Sequence, residues 1–501
     1  MVTGADRARP ACWPTTVRPP ARAIALALLI AQAGCSGSSH APGGPEPVTL
    51  RIGFGLAALQ SADVGIGRAA LNISTDPLVS DLPDGRTMPS LAEGWSVADD
   101  GLRLDVRLRP NVTFHDGKPV NALAVRDVLR TDLPDALGPA YADIVDIQAT
   151  AALNVSFTLR QRSTFLLEAL GAVPIVDPAS RTSGTGPFSV QARRNGEVEM
   201  QVNAGYFGGR PSIDRIVLTP YASVRAAWAD MLRGQVDMLY EVGADGLDSL
   251  EASSEVNIFT FQRAYAYLLL LNVESPALRD AAFRRRLNAS IDRRALVDDA
   301  LRGHAVPADG PVSPRHWAYS ADLPPFRYQP APGPDRGPRH FTILFGEPSL
   351  ERLAVAIQRQ LQAAGIDAAL QSVAPDEVGV RLRSGNFEAV LTDYVQGPNL
   401  VQPYLYWHPD GPYNFGHYRN AAVADALNHV RRAADDREYE AGVAAYWRAI
   451  VDDPPAVFLA WPQRAHAVST RFSIPPDPDK DVLNSLHLWK PVREAERTVH
   501  R

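Results

Sequence analysis

Reactive chemistry has few footholds in this chain. The run Gly53-Phe54-Gly55-Leu56-Ala57-Ala58 fits a G-x-G-x-x-A pattern after an apolar, alternating segment, and Asp76 follows about 20 residues on. In a dinucleotide site the glycines bring backbone against a pyrophosphate and the acid takes ribose hydroxyls. That reading also needs a second buried strand ending in the acid, whereas Asp76 precedes Pro77 in a polar stretch. A glycine-rich strand end is the alternative. Beyond Cys35 there is no G-x-S-x-G, no S-x-x-K and no G-x-x-x-x-G-K, so the nucleophile elbow and the phosphate loop both lack their frame. Eleven histidines form no H-E-x-x-H, and His115, His304, His316, His408 and His417 are scattered through loop-like stretches. No catalytic residue, metal or cofactor is expected.

Binding chemistry is better represented. Between Val390 and Tyr418 stand seven aromatics, Tyr394, Tyr404, Tyr406, Trp407, Tyr413, Phe415 and Tyr418, where a chain average of 8% aromatic residues places about two. Rings with polar tips suit a wet cleft, packing on a ligand while their hydroxyls reach water. Packing of loops onto a core would use the same residues.

Those residues sit in a long, well-mixed chain: 501 residues, 46% hydrophobic and 21% charged, enough for two or three domains. A net charge of −6 without basic runs offers no field for a nucleic-acid backbone, so no nucleic-acid partner is expected. At the start, Arg7, Arg9, Arg18 and Arg22 precede the apolar run Ala23 to Ala31, too short to span a bilayer, and residues 1–34 read as a signal peptide. Ala33-Gly34-Cys35 then looks like a lipobox with Gln32 in the place usually held by Leu, and Cys35 is the expected lipid attachment. Cys12 lies upstream of the cleavage, which leaves no pair for a disulfide. Residues 35–47, rich in Pro and Gly, read as a flexible tether.

Folding is expected from Val48. Leu102 to Leu108 alternates with Leu102, Leu104, Val106 and Leu108 on one face, a half-buried strand between the turns Asp99-Asp100-Gly101 and His115-Asp116-Gly117. Ser223 caps a helix to about Arg233, with Gly234 as its stop and a strand at Val236 to Tyr240. Two helices are expected over Asp280 to Gly303, and six prolines between Leu323 and His340 predict a loop. Beyond it, strand (Phe341 to Phe345), helix (Leu350 to Ala364), strand (Ile366 to Val373), helix (Asp376 to Ser384) and strand (Phe387 to Tyr394) alternate, predicting a parallel sheet covered by helices. Ligands of such sheets sit beyond the carboxyl ends of the strands, where Asp393 and Tyr394 fall.

Several blocks together resemble the peptide/nickel-type, or family 5, extracytoplasmic solute-binding proteins of ABC transporters. They are Pro89-Ser90-Leu91-Ala92-Glu93-Gly94-Trp95, Leu108-Arg109-Pro110 with Thr113-Phe114-His115-Asp116-Gly117, Gly184-Thr185-Gly186-Pro187-Phe188, Asn203-Ala204-Gly205-Tyr206-Phe207, Gly234-Gln235-Val236-Asp237 and Ala289-Ser290-Ile291-Asp292-Arg293. The helix after the His-Asp-Gly block reads as shortened, its acidic pattern replaced by Asn121-Ala122-Leu123-Ala124. The resemblance implies an α/β, two-lobed periplasmic-binding-protein fold, class II-like, with a discontinuous first lobe: 48–262 plus 468–490, around a second lobe 263–467 and before a tail 491–501. Chain crossings are expected near Phe261 to Asn272 and Trp461 to Val468, with closure around ligand. By position, Asp393 would pair with the α-ammonium of a peptide, and Tyr265, Tyr267, Trp317 and Trp407 would wall the cleft beside Tyr394. The implied partners are a small solute such as a peptide and the permease of an ABC importer, the protein acting as a monomer held by lipid at the periplasmic or outer face of a bacterial membrane. A periplasmic hydrolase or metalloenzyme, or a sensing accessory protein, is the rival.

Overall fold

The computed structural model describes residues 46–55, 62–243, 246–247, 250, 253–261, 265–330, 340–395, 397–475 and 482–492. The signal peptide, Cys35 and nearly all of the expected tether lie outside the described residues. From Pro47 onward the chain forms one compact unit built on two large sheets and a small one.

The first sheet has seven strands in the spatial order Val256–Phe261, Arg464–Ser469, Met238–Val242, Thr49–Gly55, Arg215–Tyr221, Glu197–Val202 and Phe188–Arg194. Thr49–Gly55 is parallel to both its neighbours and runs under the helix Val224–Leu232. Ser223 caps that helix as expected, its Oγ accepting from the Ala226 N–H at 3.1 Å, and Gly234 follows with φ +70°. A Cβ on Gly55 would lie 2.4 Å from the Val224 nitrogen, so this glycine serves a close strand-to-helix approach. Asp76 ends no second strand; it follows the helix Ala62–Ser74 and accepts from Thr185 and from the Tyr206 hydroxyl. The dinucleotide reading therefore gives way to the structural one.

A small antiparallel sheet, ordered Ala92–Val97, Arg103–Leu108, Asn154–Leu159 and Ile144–Ala151, packs on the helices Ala122–Leu137 and Thr164–Ala169. Leu104, Val106 and Leu108 are buried, but Leu102 is 36% exposed, because the strand starts one residue later than the alternation implied. The helix expected to be short runs 16 residues. Asn121 replaces an acidic start with a side-chain cap, its Oδ1 accepting from the Ala124 N–H at 3.0 Å, and Val125, Val128, Leu129 and Leu133 carry the buried stripe onward.

The second large sheet has six strands, ordered Ala305–Pro307, Ala456–Pro462, Tyr265–Leu271, Ala389–Val395, His340–Phe345 and Asp367–Ser372. Its last three are the parallel part read from the alternation, and the helix Glu351–Ala363 buries Leu353, Ile357 and Leu361 against it. Tyr265–Leu271 and Ala456–Pro462 add antiparallel pairing, so the sheet is mixed. Both chain connections between the large sheets are short: Val256–Phe261 belongs to the first and Tyr265–Leu271 to the second, while Ala456–Pro462 and Arg464–Ser469 are separated by Gln463 alone. The last strand returns into the first sheet between two earlier ones, which makes that part of the molecule discontinuous in sequence.

Candidate ligand-binding site

Where the chain passes from one large sheet to the other, acids outnumber bases. Asp393 lies near the carboxyl end of Ala389–Val395, opposite Tyr267 in register, and its side chain is 13% exposed. Its Oδ2 accepts from Arg464 Nη2 at 2.8 Å. Arg464 opens the strand that returns to the first sheet, opposite Phe261, and its other Nη is ion-paired with Glu241 of Met238–Val242. The same guanidinium stands 5.8 Å from the Tyr265 ring centroid and near the Tyr267 hydroxyl, whose ionisation burial suppresses. Arg464 thereby ties both tyrosines and one acid from each sheet into a single network.

Glu347, two residues beyond the strand His340–Phe345, is the fourth ionisable member and was not anticipated from sequence. It is 2% exposed; Oε2 accepts from Ser349 Oγ at 3.2 Å, and Oε1 has no hydrogen-bond partner among the described residues. Burial pushes its carboxyl up to about 8, Asp393 adds to the rise and Arg464 opposes it. In sequence Glu347-Pro348-Ser349-Leu350 looks like an ordinary helix entry; only the fold brings the acid to Asp393.

The remaining expected residues fall elsewhere. Trp407 is 1% exposed, its indole packed on Tyr394 and Phe458, and Tyr394 is itself buried with its ring edge-on to Tyr406. Both are core residues rather than cleft walls, because the helix Val401–Trp407 turns nearly all of its side chains inward. Trp317 lies apart from Asp393, between the Arg86 guanidinium at 4.6 Å and the Tyr439 ring at 4.8 Å, on a cavity of about 580 Å³ that Glu168 and Tyr439 also line. Of the six expected ligand contacts, Asp393, Tyr265 and Tyr267 are brought together; Tyr394, Trp407 and Trp317 are not.

A larger cavity of about 610 Å³ opens among the end of the helix Ala62–Ser74, the segments 75–90, 171–174 and 206–208, the strand end Thr260–Phe261, and the loops at 313–316 and Pro398. Asp76, Arg109, Tyr206, Phe261 and Arg315 are among its lining, and none of the six expected contacts is. Its edge reaches the network through Phe261, the strand partner of Arg464. Among the described residues no group of three or more His, Cys, Asp or Glu is placed to hold a metal, and no helix is long and apolar enough to cross a membrane.

Comparison with known proteins gives this architecture a family. Residues 86–414 match the model for bacterial extracellular solute-binding proteins, family 5, middle region. The chain is 25% identical over 404 residues to a probable D,D-dipeptide-binding periplasmic protein of Escherichia coli K12, covering 74% of this chain and 78% of that one. It is 24% identical over 453 residues to an oligopeptide-binding protein of Bacillus subtilis, covering 80% and 83%, and 27% identical over 442 residues to a glutathione-binding protein of Pectobacterium atrosepticum, covering 79% and 84%. Among solved structures, the Bacillus subtilis oligopeptide-binding protein in complex with a nonapeptide superposes with a TM-score of 0.75 at 21% identity, over 89% of this chain and 100% of that one, showing the two-lobed binding-protein fold. The chain belongs to family 5 of the bacterial extracellular solute-binding proteins, the extracytoplasmic substrate-binding components of ABC importers, and it captures rather than catalyses.

Proposed function

We propose that the captured solute is a short peptide whose α-ammonium is held at Asp393, with two lobes closing around it whose second boundary falls at Gln463 rather than at the expected 467/468, because Arg464–Ser469 pairs into the first sheet. One observation carries this reading: Asp393 stands at the carboxyl edge of a sheet, in a buried network where the carboxylates of Asp393 and Glu241 share one guanidinium and leave a net negative charge. Such a network attracts a further cation, and a carboxylate engaged by Arg464 through one oxygen keeps capacity to accept from an ammonium. The cavity at Phe261 offers room for the body of a short peptide, and Arg109 and Arg315 on its lining suit a terminal carboxylate. The dipeptide, oligopeptide and glutathione named for its relatives all combine an amine with carboxylates. Delivery to a permease from a Cys35-anchored monomer completes the proposal.

Thermal-shift screening of the mature chain tests it, because a ligand of the native state raises the melting temperature. Di- to pentapeptides should shift the transition. Asp393→Asn should weaken a free-amine peptide by about 1.5–3 kcal/mol, the worth of one charge-assisted bond, while leaving its N-acetylated form nearly unchanged. Equal losses for both forms would remove Asp393 from the ammonium site.

A further inference from the structure

Asp393 is not the only acid the network leaves open to a cation. Arg464 engages Asp393 from one side and Glu241 from the other, so its guanidinium is committed to both. Glu347 has no such contact. It lies three residues beyond Leu344 as Asp393 lies three beyond Val390, the parallel partner of Leu344, so the register carries both acids to the same edge of the sheet, and its one side-chain hydrogen-bond partner among the described residues is the Ser349 hydroxyl. A buried carboxyl oxygen without a donor forfeits the hydrogen bonds it had in water. In a protein built to enclose a solute, an N–H that the solute brings suits a buried carboxyl oxygen to which no described residue donates.

We infer that Glu347 is the second carboxylate of the ammonium subsite, the ligand's –NH₃⁺ bridging Asp393 and Glu347 while Arg464 fixes Asp393 and Glu241. An ammonium has three N–H donors and no acceptor, so it can satisfy two carboxylates at once, which a single amide or hydroxyl of the ligand cannot do with charge. This assignment rests on the peptide reading above and narrows it: ligands with a primary amine are selected over those with a blocked, tertiary or absent one. The charge count supports it. The acids Asp393, Glu241 and Glu347 against Arg464 leave two negative charges when all ionise, and the bound ammonium reduces that to one.

The proton balance follows from the same arrangement. Without ligand, the carboxyl of Glu347 holds its proton at neutral pH, since burial and Asp393 push it up to about 8. An arriving ammonium favours the ionised form, so the O–H proton leaves to solvent as the N–H···O⁻ bond forms. Binding thus expels a proton at pH 6.5, where the peptide's own amine, with a pKa near about 8, is already charged and contributes none.

Calorimetry with trialanine in phosphate and in Tris at pH 6.5 separates the outcomes, because the two buffers differ in ionisation heat. Wild type should release close to one proton per trialanine, and affinity should rise by about tenfold for each unit that pH increases toward Glu347's own titration, levelling off above it. Glu347→Gln, which mimics the neutral acid and keeps the fold, should abolish both the release and the pH slope and weaken trialanine by about tenfold at pH 7.5. N-acetyl-trialanine should release no proton from either protein. Binding that depends on Asp393 but releases no proton, with Glu347→Gln unchanged, would overturn the role of Glu347 and leave the Asp393 reading standing. Failure of wild type to bind trialanine or any other free-amine peptide would sink both.

Discussion

The strands Met238–Val242 and Arg464–Ser469 pair with each other and carry an ion network at either end, and the two networks have opposite stoichiometry. At one end Asp237, fully buried, meets two arginines. Its Oδ2 accepts from the backbone N–H and Nε of Arg51 at 3.0 and 2.8 Å, and its Oδ1 from Arg51 Nη2 at 3.0 Å and Arg471 Nη1 at 2.9 Å. Both oxygens are filled, and the acid ties the edge of Thr49–Gly55 to the returning chain. At the other end Arg464 meets Asp393 and Glu241, with Glu347 nearby and one of its oxygens unfilled. Two features separate the structural network from the one proposed to bind: saturation of the acid's lone pairs, and an excess of the charge that a cationic ligand would neutralise.

The comparison breaks first at Asp237. Asp237→Asn removes a fully buried charge that serves two guanidiniums and replaces one acceptor oxygen with a donor pointed at another donor. Loss of one partner from such a buried pair costs about 3–5 kcal/mol. Chemical denaturation at neutral pH should show a drop of that order, with trialanine affinity of the folded fraction retained. A loss within about 0.5 kcal/mol would mean that saturation does not mark the structural end.

Arg464 gives the next largest effect and a different signature. Arg464→Gln leaves Asp393, Glu241 and Glu347 without their shared cation, which raises the folded-state titration of Glu347 further. Carboxyls raised in the folded state contribute their stability below their unfolded values and lose it as pH climbs toward the folded ones. The variant should therefore be nearly as stable as wild type at pH 5 and weaker by about 2 kcal/mol at pH 8. An equal loss at both pH values would show that Arg464 acts by packing on Tyr265 rather than by charge.

How far these networks could be read beforehand depends on how local they are. The parallel part of the second sheet was legible because its strands and helices are continuous segments with one period each, as in the Leu353, Ile357 and Leu361 stripe. Asp393 was legible from its strand end and its family motif. Arg464, Glu241 and Glu347 were not, because they come from elements more than a hundred residues apart that meet only where the chain crosses between sheets. The aromatic run from Tyr394 to Tyr418 misled for a related reason: composition shows that rings are dense, while the turning of Val401–Trp407 decides that Tyr404 and Trp407 face inward. The helix behind Asn121, read as shortened because an acidic pattern is replaced there, runs 16 residues because the Asn121 side-chain amide caps its start.

A third buried acid site, with no ion pair among the described residues, sharpens the comparison at its low-energy end. Glu168 is buried in the helix Thr164–Ala169, where Oε1 accepts from the Tyr439 hydroxyl at 3.1 Å and Oε2 has no partner among the described residues. Burial pushes it up to about 8, the Tyr439 bond opposes that and Asp81 adds to it; burial likewise carries Asp81 up to about 7. Backbone N–H groups of Leu400 and Val401 also face Glu168, and His316, stacked on Tyr439, is held neutral by its own burial. Here both acids hold their protons below pH 7 and no arginine-paired carboxylate stands beside them among the described residues, as Asp393 stands beside Glu347, so the site offers an ammonium no fixed negative charge although its oxygens are not all filled. Tyr439→Phe deletes one neutral hydrogen bond and should cost about 1 kcal/mol at pH 6. Because that bond lowers the Glu168 titration, its loss raises the folded value further and steepens the fall in stability from pH 5 to pH 8. Unfolding curves across that range check the sign, and a shallower slope in Tyr439→Phe than in wild type would mean that Glu168 is ionised in the fold and that this site belongs with Asp393 after all.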